Sequence, residues 1–170
     1  GKLTLSLSSE QSNPVAPGMV SRPGSYALAP GNWRNVDVRV TARTLRTAST
    51  PNRDVIIPFG YVDETHYYYA HFGATSDGIA HTQIVKVNGP NSRTAISMPT
   101  IVSPAPFQSF ASTQFRVTHR ADGQIAAYCN NITTPMMTAV DLTCPAGRVG
   151  FGSFDDPAEF TSITVVGDQQ

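Results

Sequence analysis

The chain has 170 residues, 40% of them apolar, with 13 Gly, 13 Pro and no formal net charge, which suits one well-buried domain and is short for two. Only 14% of the residues are charged, against about 25% in an average soluble protein, so neither a charged disordered chain nor an electrostatically driven nucleic-acid binder fits. Lysine occurs only at Lys2 and Lys86 while arginine occurs ten times, so cationic contacts fall to planar guanidinium forks, which match carboxylates.

No apolar run reaches the roughly 18 to 20 residues that span a bilayer, and Gly1-Lys2-Leu3 opens without the apolar core of a signal peptide. Apolar residues alternate with period two, and no window sustains the i, i+3, i+4, i+7 spacing of a surface helix, so an all-β chain is expected. Leu3-Thr4-Leu5-Ser6-Leu7 opens as a half-buried strand, and 8–32, rich in Pro, Gly and Ser, reads as ordered loop. Val36, Val38, Val40 and Ala42 then alternate against Asp37, Arg39, Thr41 and Arg43. Strands are expected at 55–62, 66–72, 80–87 and 94–98, and, after an irregular segment at 99–112, at 114–120, 124–129, 148–154 and 160–166. Turn residues such as Asp63-Glu64, Asn88-Gly89-Pro90 and Ala121-Asp122-Gly123 separate them. Short strands at hairpin spacing predict one domain over 1–170 built as two stacked antiparallel sheets, a sandwich or jelly roll.

Cys129 and Cys144, fifteen residues apart and flanking the sequon Asn131-Ile132-Thr133, read as one disulfide in an oxidising, extracytoplasmic setting. Such a link stabilises by about 3 kcal/mol in the chain-entropy picture. The alternative is a pair of buried thiols.

Three segments carry a resemblance: His66-Tyr67-Tyr68-Tyr69-Ala70-His71-Phe72-Gly73, His81-Thr82-Gln83-Ile84-Val85-Lys86-Val87-Asn88-Gly89, and Gly147-Arg148-Val149-Gly150-Phe151-Gly152-Ser153-Phe154-Asp155-Asp156 followed by Phe160-Thr161-Ser162-Ile163-Thr164-Val165. Together they resemble the concanavalin A-like, laminin G-like jelly rolls. They are most similar to secreted domains grouped with the 3-keto-disaccharide hydrolases and the family-16-like proteins of bacterial polysaccharide degraders. The resemblance spans about 1–167 and aligns Gly1-Lys2-Leu3 with the opening of the second strand of such domains, so it implies a first strand upstream. The E-x-D-x-x-E strand of family-16 glycosidases is absent, which leaves retaining hydrolysis without its two carboxyl groups about 5 to 5.5 Å apart. The N-S-G-I segment of the keto-disaccharide group is absent too. The resemblance further implies a structural Ca²⁺ at Asp156, with Asp155 beside it and Glu159 close by; an Asp-Asp-Pro turn capped by its own side chains is the alternative.

In such folds the ligand lies on the concave sheet, opposite the core-facing alternates. With Val36, Val38, Val40 and Ala42 in the core, Arg39 and Arg43 face outward; with Tyr68, Ala70 and Phe72 in the core, Tyr67, Tyr69 and His71 do. His81 and Gln83 are assigned to the same groove, with a bulge or strand end beyond Val85. One surface would then carry Arg39, Arg43, Tyr67, Tyr69, His71, His81 and Gln83. A carbohydrate-binding module would use it by stacking Tyr rings on sugar faces and donating from Arg, Gln and His. A uronate lyase would use His81 or His71 as base, Tyr69 as acid, and Arg39, Arg43 and Gln83 around the substrate carboxylate.

Structural roles compete for each residue. One of the three tyrosines must be core, His66 suits a solvated turn, His119 suits partly buried structure, and Arg39 or Arg43 suits pairing with Asp37 or Asp54. His71 and His81 alone form an incomplete metal site. The expectation is a secreted jelly roll with a polysaccharide or oligosaccharide partner, no nucleic acid and no membrane span. Catalysis is one alternative, and a structural or adhesive envelope protein another.

Overall fold

The computed structural model describes residues 3–5, 25–47, 53–73, 82–97, 108–130, 133–154 and 156–170. Twelve strands run through them: β1 (Leu3–Leu5), β2 (Ser25–Leu28), β3 (Trp33–Thr44), β4 (Asp54–Asp63), β5 (His66–Gly73), β6 (Gln83–Asn88), β7 (Arg93–Ala95), β8 (Thr113–His119), β9 (Gln124–Cys129), β10 (Met137–Val140), β11 (Gly150–Ser153) and β12 (Ala158–Gln169). They form two antiparallel six-stranded sheets. Sheet A has the order β1-β12-β3-β8-β9-β10, and sheet B the order β2-β11-β4-β5-β6-β7. No helix among the described residues is long and apolar enough to cross a membrane.

The core lies between the sheets. Val36, Val38, Val40 and Ala42 of β3 and Phe115 and Val117 of β8 meet Val55, Ile57 and Phe59 of β4 and Tyr68, Ala70 and Phe72 of β5. Phe72 and Phe115 close the two layers with ring centroids 4.8 Å apart. β3 and β8 alternate buried and open positions, as strands with one wet face do. By contrast β4 and β5 are buried on both faces for most of their length. The continuous apolar run Val55-Ile56-Ile57-Pro58-Phe59 and the run Tyr67 to Phe72 fit that double burial.

Pro58 sits in β4 opposite Tyr69, in a strand with neighbours on both sides, where a missing N–H interrupts a ladder. The pairing of β4 with β11 accordingly reduces to Gly152 with Ile56 and an isolated bridge between Tyr61 and Arg148. Two residues on, Gly60 takes φ +54° with its backbone against Cys144, where an added Cβ would lie 2.6 Å from the Cys144 carbonyl oxygen. Register is lost between Phe59 and Asp63, and this irregular turn of the backbone leaves Tyr61 packed on the outer side of sheet B.

The structure departs from the sequence expectation in several elements. β2 lies inside the stretch read as loop, because four residues between prolines are too few to show a period. β10 was not expected either: Met137-Thr138-Ala139-Val140 is only four residues long, with Thr138 and Val140 as its β-branched members on one face, and it is held by pairing with β9. β6 pairs with β5 in regular register from Gln83 to Asn88, so there is no bulge or strand end beyond Val85.

Cys129 and Cys144 are free thiols, not a disulfide. The hairpin explains why. β10 runs back along β9 until Val140 lies opposite Gln124, five residues from Cys129, or about 17 Å along the strand. Cys144 continues from that far end to Gly60 and the Tyr68 hydroxyl, which accepts its N–H at 2.9 Å. A disulfide needs Cα atoms within about 7 Å. Burial pushes the Cys129 thiol up to about 12. Unreduced, denatured protein is therefore expected to take up two equivalents of alkylating reagent by mass spectrometry, and added reductant should leave the thermal midpoint unchanged.

Candidate functional site

The outer side of sheet B carries a ladder of rings. Odd positions of β5 put Tyr67, Tyr69 and His71 there, beside Val85 and Val87 of β6, Ile56 of β4 and Phe154. Tyr67 and Tyr69 have centroids 6.1 Å apart, Tyr69 and His71 6.0 Å, and His71 stacks on Phe154 at 5.3 Å. Arg93 lies over the other end of the row, 4.8 Å from the Phe154 centroid. Gln83 shares the register of His71. This parity matches the sequence expectation.

Accessibility does not. Tyr67 and His71 are 1% exposed, and Tyr69 and Gln83 0%. Among the described residues the row's aromatic surface opens at Tyr26 and Tyr61, which are half-buried. Their rings lie 5.8 Å apart, and Tyr67 backs them at 6.4 and 5.2 Å. Their hydroxyls are 3.3 Å apart. Burial first, and then the hydrogen bond to Tyr61, push the Tyr26 phenol above its ordinary value, with the nearby Glu64 carboxylate adding to the shift.

Beneath the ladder a polar network is built from strand ends. Asp54 Oδ1 accepts from Ser153 Oγ at 2.9 Å and from the Phe154 N–H at 2.7 Å, while its Oδ2 lies 3.5 Å from His71 Nε2. Asp156 Oδ2 accepts the Asp54 N–H at 3.0 Å, and its Oδ1 takes Arg46 Nε at 3.1 Å. Gln83 Oε1 accepts from Ser97 Oγ at 2.6 Å. Burial and the neighbouring Asp54 carboxylate push Asp156 up to about 6, against the pull of Arg46. These bonds satisfy the buried acceptors Asp54 Oδ1, both oxygens of Asp156 and Gln83 Oε1, as such groups require. Its catalytic candidates are sealed: a general base must come within about 3 Å of the proton it takes, and His71 and Tyr69 present no surface to a polymer. His81 lies outside the described residues.

Arg39 and Arg43 are not on this surface. β3 belongs to sheet A, so its outward positions face away from the sandwich on the opposite side from Tyr69 and His71. Arg43 pairs with Glu159 at 2.5 Å, and Arg39 with Asp37 at 3.1 Å. Alternation tells which residues share a face of one strand; it does not tell which layer the strand joins.

For calcium, the donor set of Asp156 is the relevant observation. One of its oxygens is held by a guanidinium and the other by a backbone N–H, so a cation there would meet Arg46, and the residues do not fit the ion. Among the described residues no cluster of three metal-ligating side chains exists. Asp155 lies outside them.

His66 sits in the Asp63 turn, with Nδ1 2.9 Å from Thr65 Oγ1. His119 is buried between Phe59 and Tyr68 at 5.5 and 5.4 Å, and burial lowers it to about 4. Sequence reading missed Tyr26, Tyr61 and Arg93, and considered Asp54 only as a partner for Arg39 or Arg43, which pair instead with Asp37 and Glu159. Tyr26 was hidden in apparent loop, and Tyr61 follows a glycine irregularity that resets parity; Asp54, ahead of an apolar run, was a legible signal of a buried partner.

No family model matches the chain, and no curated protein matches it. Among solved structures, the carbohydrate-binding module CBM66 from Bacillus subtilis is similar with TM-score 0.64 and 13% identity, over 82% of this chain and 80% of that one. Sheep galectin-11 is similar with TM-score 0.53 and 11% identity, over 86% and 99%. CG-16, a homodimeric agglutinin from chicken liver, gives 0.52 and 10%, over 84% and 98%. At these identities the likeness is one of fold. The chain has the concanavalin A-like jelly-roll fold.

Asp156 and His119 move stability in opposite directions with pH. The raised pKa of Asp156 contributes stability that is complete below its ordinary value of 3.8 and lost as pH rises through about 6. The depressed pKa of His119 contributes stability that is complete above its ordinary value of 6.5 and lost as pH falls toward about 4. Relative to wild type, the urea midpoint of Asp156→Asn is therefore expected to improve as pH rises across this window, and that of His119→Phe to improve as pH falls.

Proposed function

We propose that this domain binds carbohydrate, with the half-exposed Tyr26 and Tyr61 rings as its platform. The observation that carries the reading is the pair of rings on the outer side of sheet B, tilted 56° to one another and backed by the buried Tyr67. Sugar C–H faces pack on aromatic rings, and a phenol held in place by a second phenol loses little side-chain freedom on binding. Hydroxyl partners are at hand in the two phenolic oxygens and in Glu64. Support of a second kind comes from the similar structures, one a carbohydrate-binding module and another an agglutinin.

The ligand we infer is a polysaccharide or oligosaccharide, met outside the cytoplasm. The buried state of Tyr69 and His71 favours retention of the glycan over its cleavage. Affinity electrophoresis of the full chain through a panel of neutral polysaccharides, followed by calorimetry, tests this. Tyr26→Ala and Tyr61→Ala are each expected to weaken binding about five- to tenfold, or about 1 to 1.4 kcal/mol. Unchanged affinity in both variants overturns the platform, and release of shortened products replaces binding with catalysis.

A further inference from the structure

The outer face of sheet A is built quite differently from that of sheet B. At one register level Thr164 of β12, Arg39 of β3, Arg116 of β8 and Tyr128 of β9 stand in line across four strands. Arg39 and Arg116 are direct cross-strand partners. Like charges in that relation destabilise a sheet. Asp37, one level away on β3, mitigates the conflict: Arg116 donates to its two oxygens at 3.0 and 2.8 Å, and Arg39 at 3.3 and 3.1 Å. One carboxylate thus serves two guanidinium groups, and Arg120 adds a third on the same face.

The row is accessible and shaped. The Arg39 side chain is 53% exposed. A cavity of about 200 Å³ lies on one side of Arg116, between Arg39, Thr41, Gln114 and Thr164. A wider one of about 610 Å³ lies on the other, between Asp37, Thr118, Arg120 and Tyr128. The Arg116 guanidinium is laid over the Tyr128 ring at 4.8 Å, which fixes its plane. In a chain of zero net charge, three arginines against one aspartate on an open face form a local positive field.

We propose that this face is a second ligand surface, distinct from the Tyr26–Tyr61 platform, and that it takes a carboxylate-bearing glycan. Arg39 and Arg120 supply planar forks to the sugar carboxylates. Tyr128 supplies ring surface, and Thr41, Gln114 and Thr164 supply hydroxyl and amide partners for a saccharide. Nucleic acid is the less fitting polyanion, since phosphate-driven affinity needs many more cations than the face carries.

The test is titration of the full chain with oligogalacturonate and with the same oligomer fully methyl-esterified, which keeps the sugar and removes the charge. The free acid is expected to bind at least about tenfold more tightly, with affinity falling as salt rises. Arg39→Gln and Arg120→Gln are each expected to weaken it several-fold and together to abolish it, with the circular dichroism spectrum and thermal midpoint retained as a check on folding. Equal binding of acid and ester overturns the proposal. So does full affinity in the double variant, or equally tight binding of single-stranded DNA at physiological salt. An excess of any neutral glycan held by the platform is expected not to displace oligogalacturonate; failure of the platform reading leaves this titration intact.

Discussion

The structure depends on the packing of sheet B between two apolar environments. Val55, Ile57 and Phe59 point into the sandwich, while Ile56 points to the opposite side among Tyr67, Tyr69 and Val85. A strand buried on both faces cannot place a polar side chain without giving it a partner. That constraint accounts for the Asp54, Ser153, His71 and Asp156 arrangement at the strand ends and for the Gln83 to Ser97 hydrogen bond. The chemistry that looks catalytic in the sequence is here a consequence of keeping that layer dry.

Sheet A obeys the opposite rule. Its inner face supplies half the core, and its outer face is wet, so β3 and β8 keep strict alternation and carry charges freely. Charged groups there interact through ladder neighbours: Arg43 with Glu159 across to β12, and Arg39 and Arg116 through Asp37. Exposed pairs of this kind are each worth about 1 kcal/mol or less. Stability does not explain the close approach of two guanidinium groups on an open face.

The two faces offer different recognition. On sheet B, accessible surface narrows to an aromatic corner, where shape and stacking dominate. On sheet A, an extended polar row dominates, where charge and hydrogen bonding decide. A jelly roll makes both available because its two sheets turn their backs to one another.

The alternation of Val36 to Ala42 against Asp37 to Arg43, and of Tyr68, Ala70 and Phe72 against Tyr67, Tyr69 and His71, was enough to determine an all-β sandwich and which residues share a face of each strand. These are local properties, set by the two-residue period of an extended backbone. Membership of a sheet is not local. β12 pairs with β3, and β11 with β2, across more than a hundred residues, and β11 reaches β4 across nearly as many. Pairing of the first kind put Arg39 and Arg43 in a different sheet from His71, whereas the nearby β9–β10 hairpin carried Cys144 away from Cys129. Such outcomes follow from which layers stack and which edges find partners, and no window of the sequence contains that information.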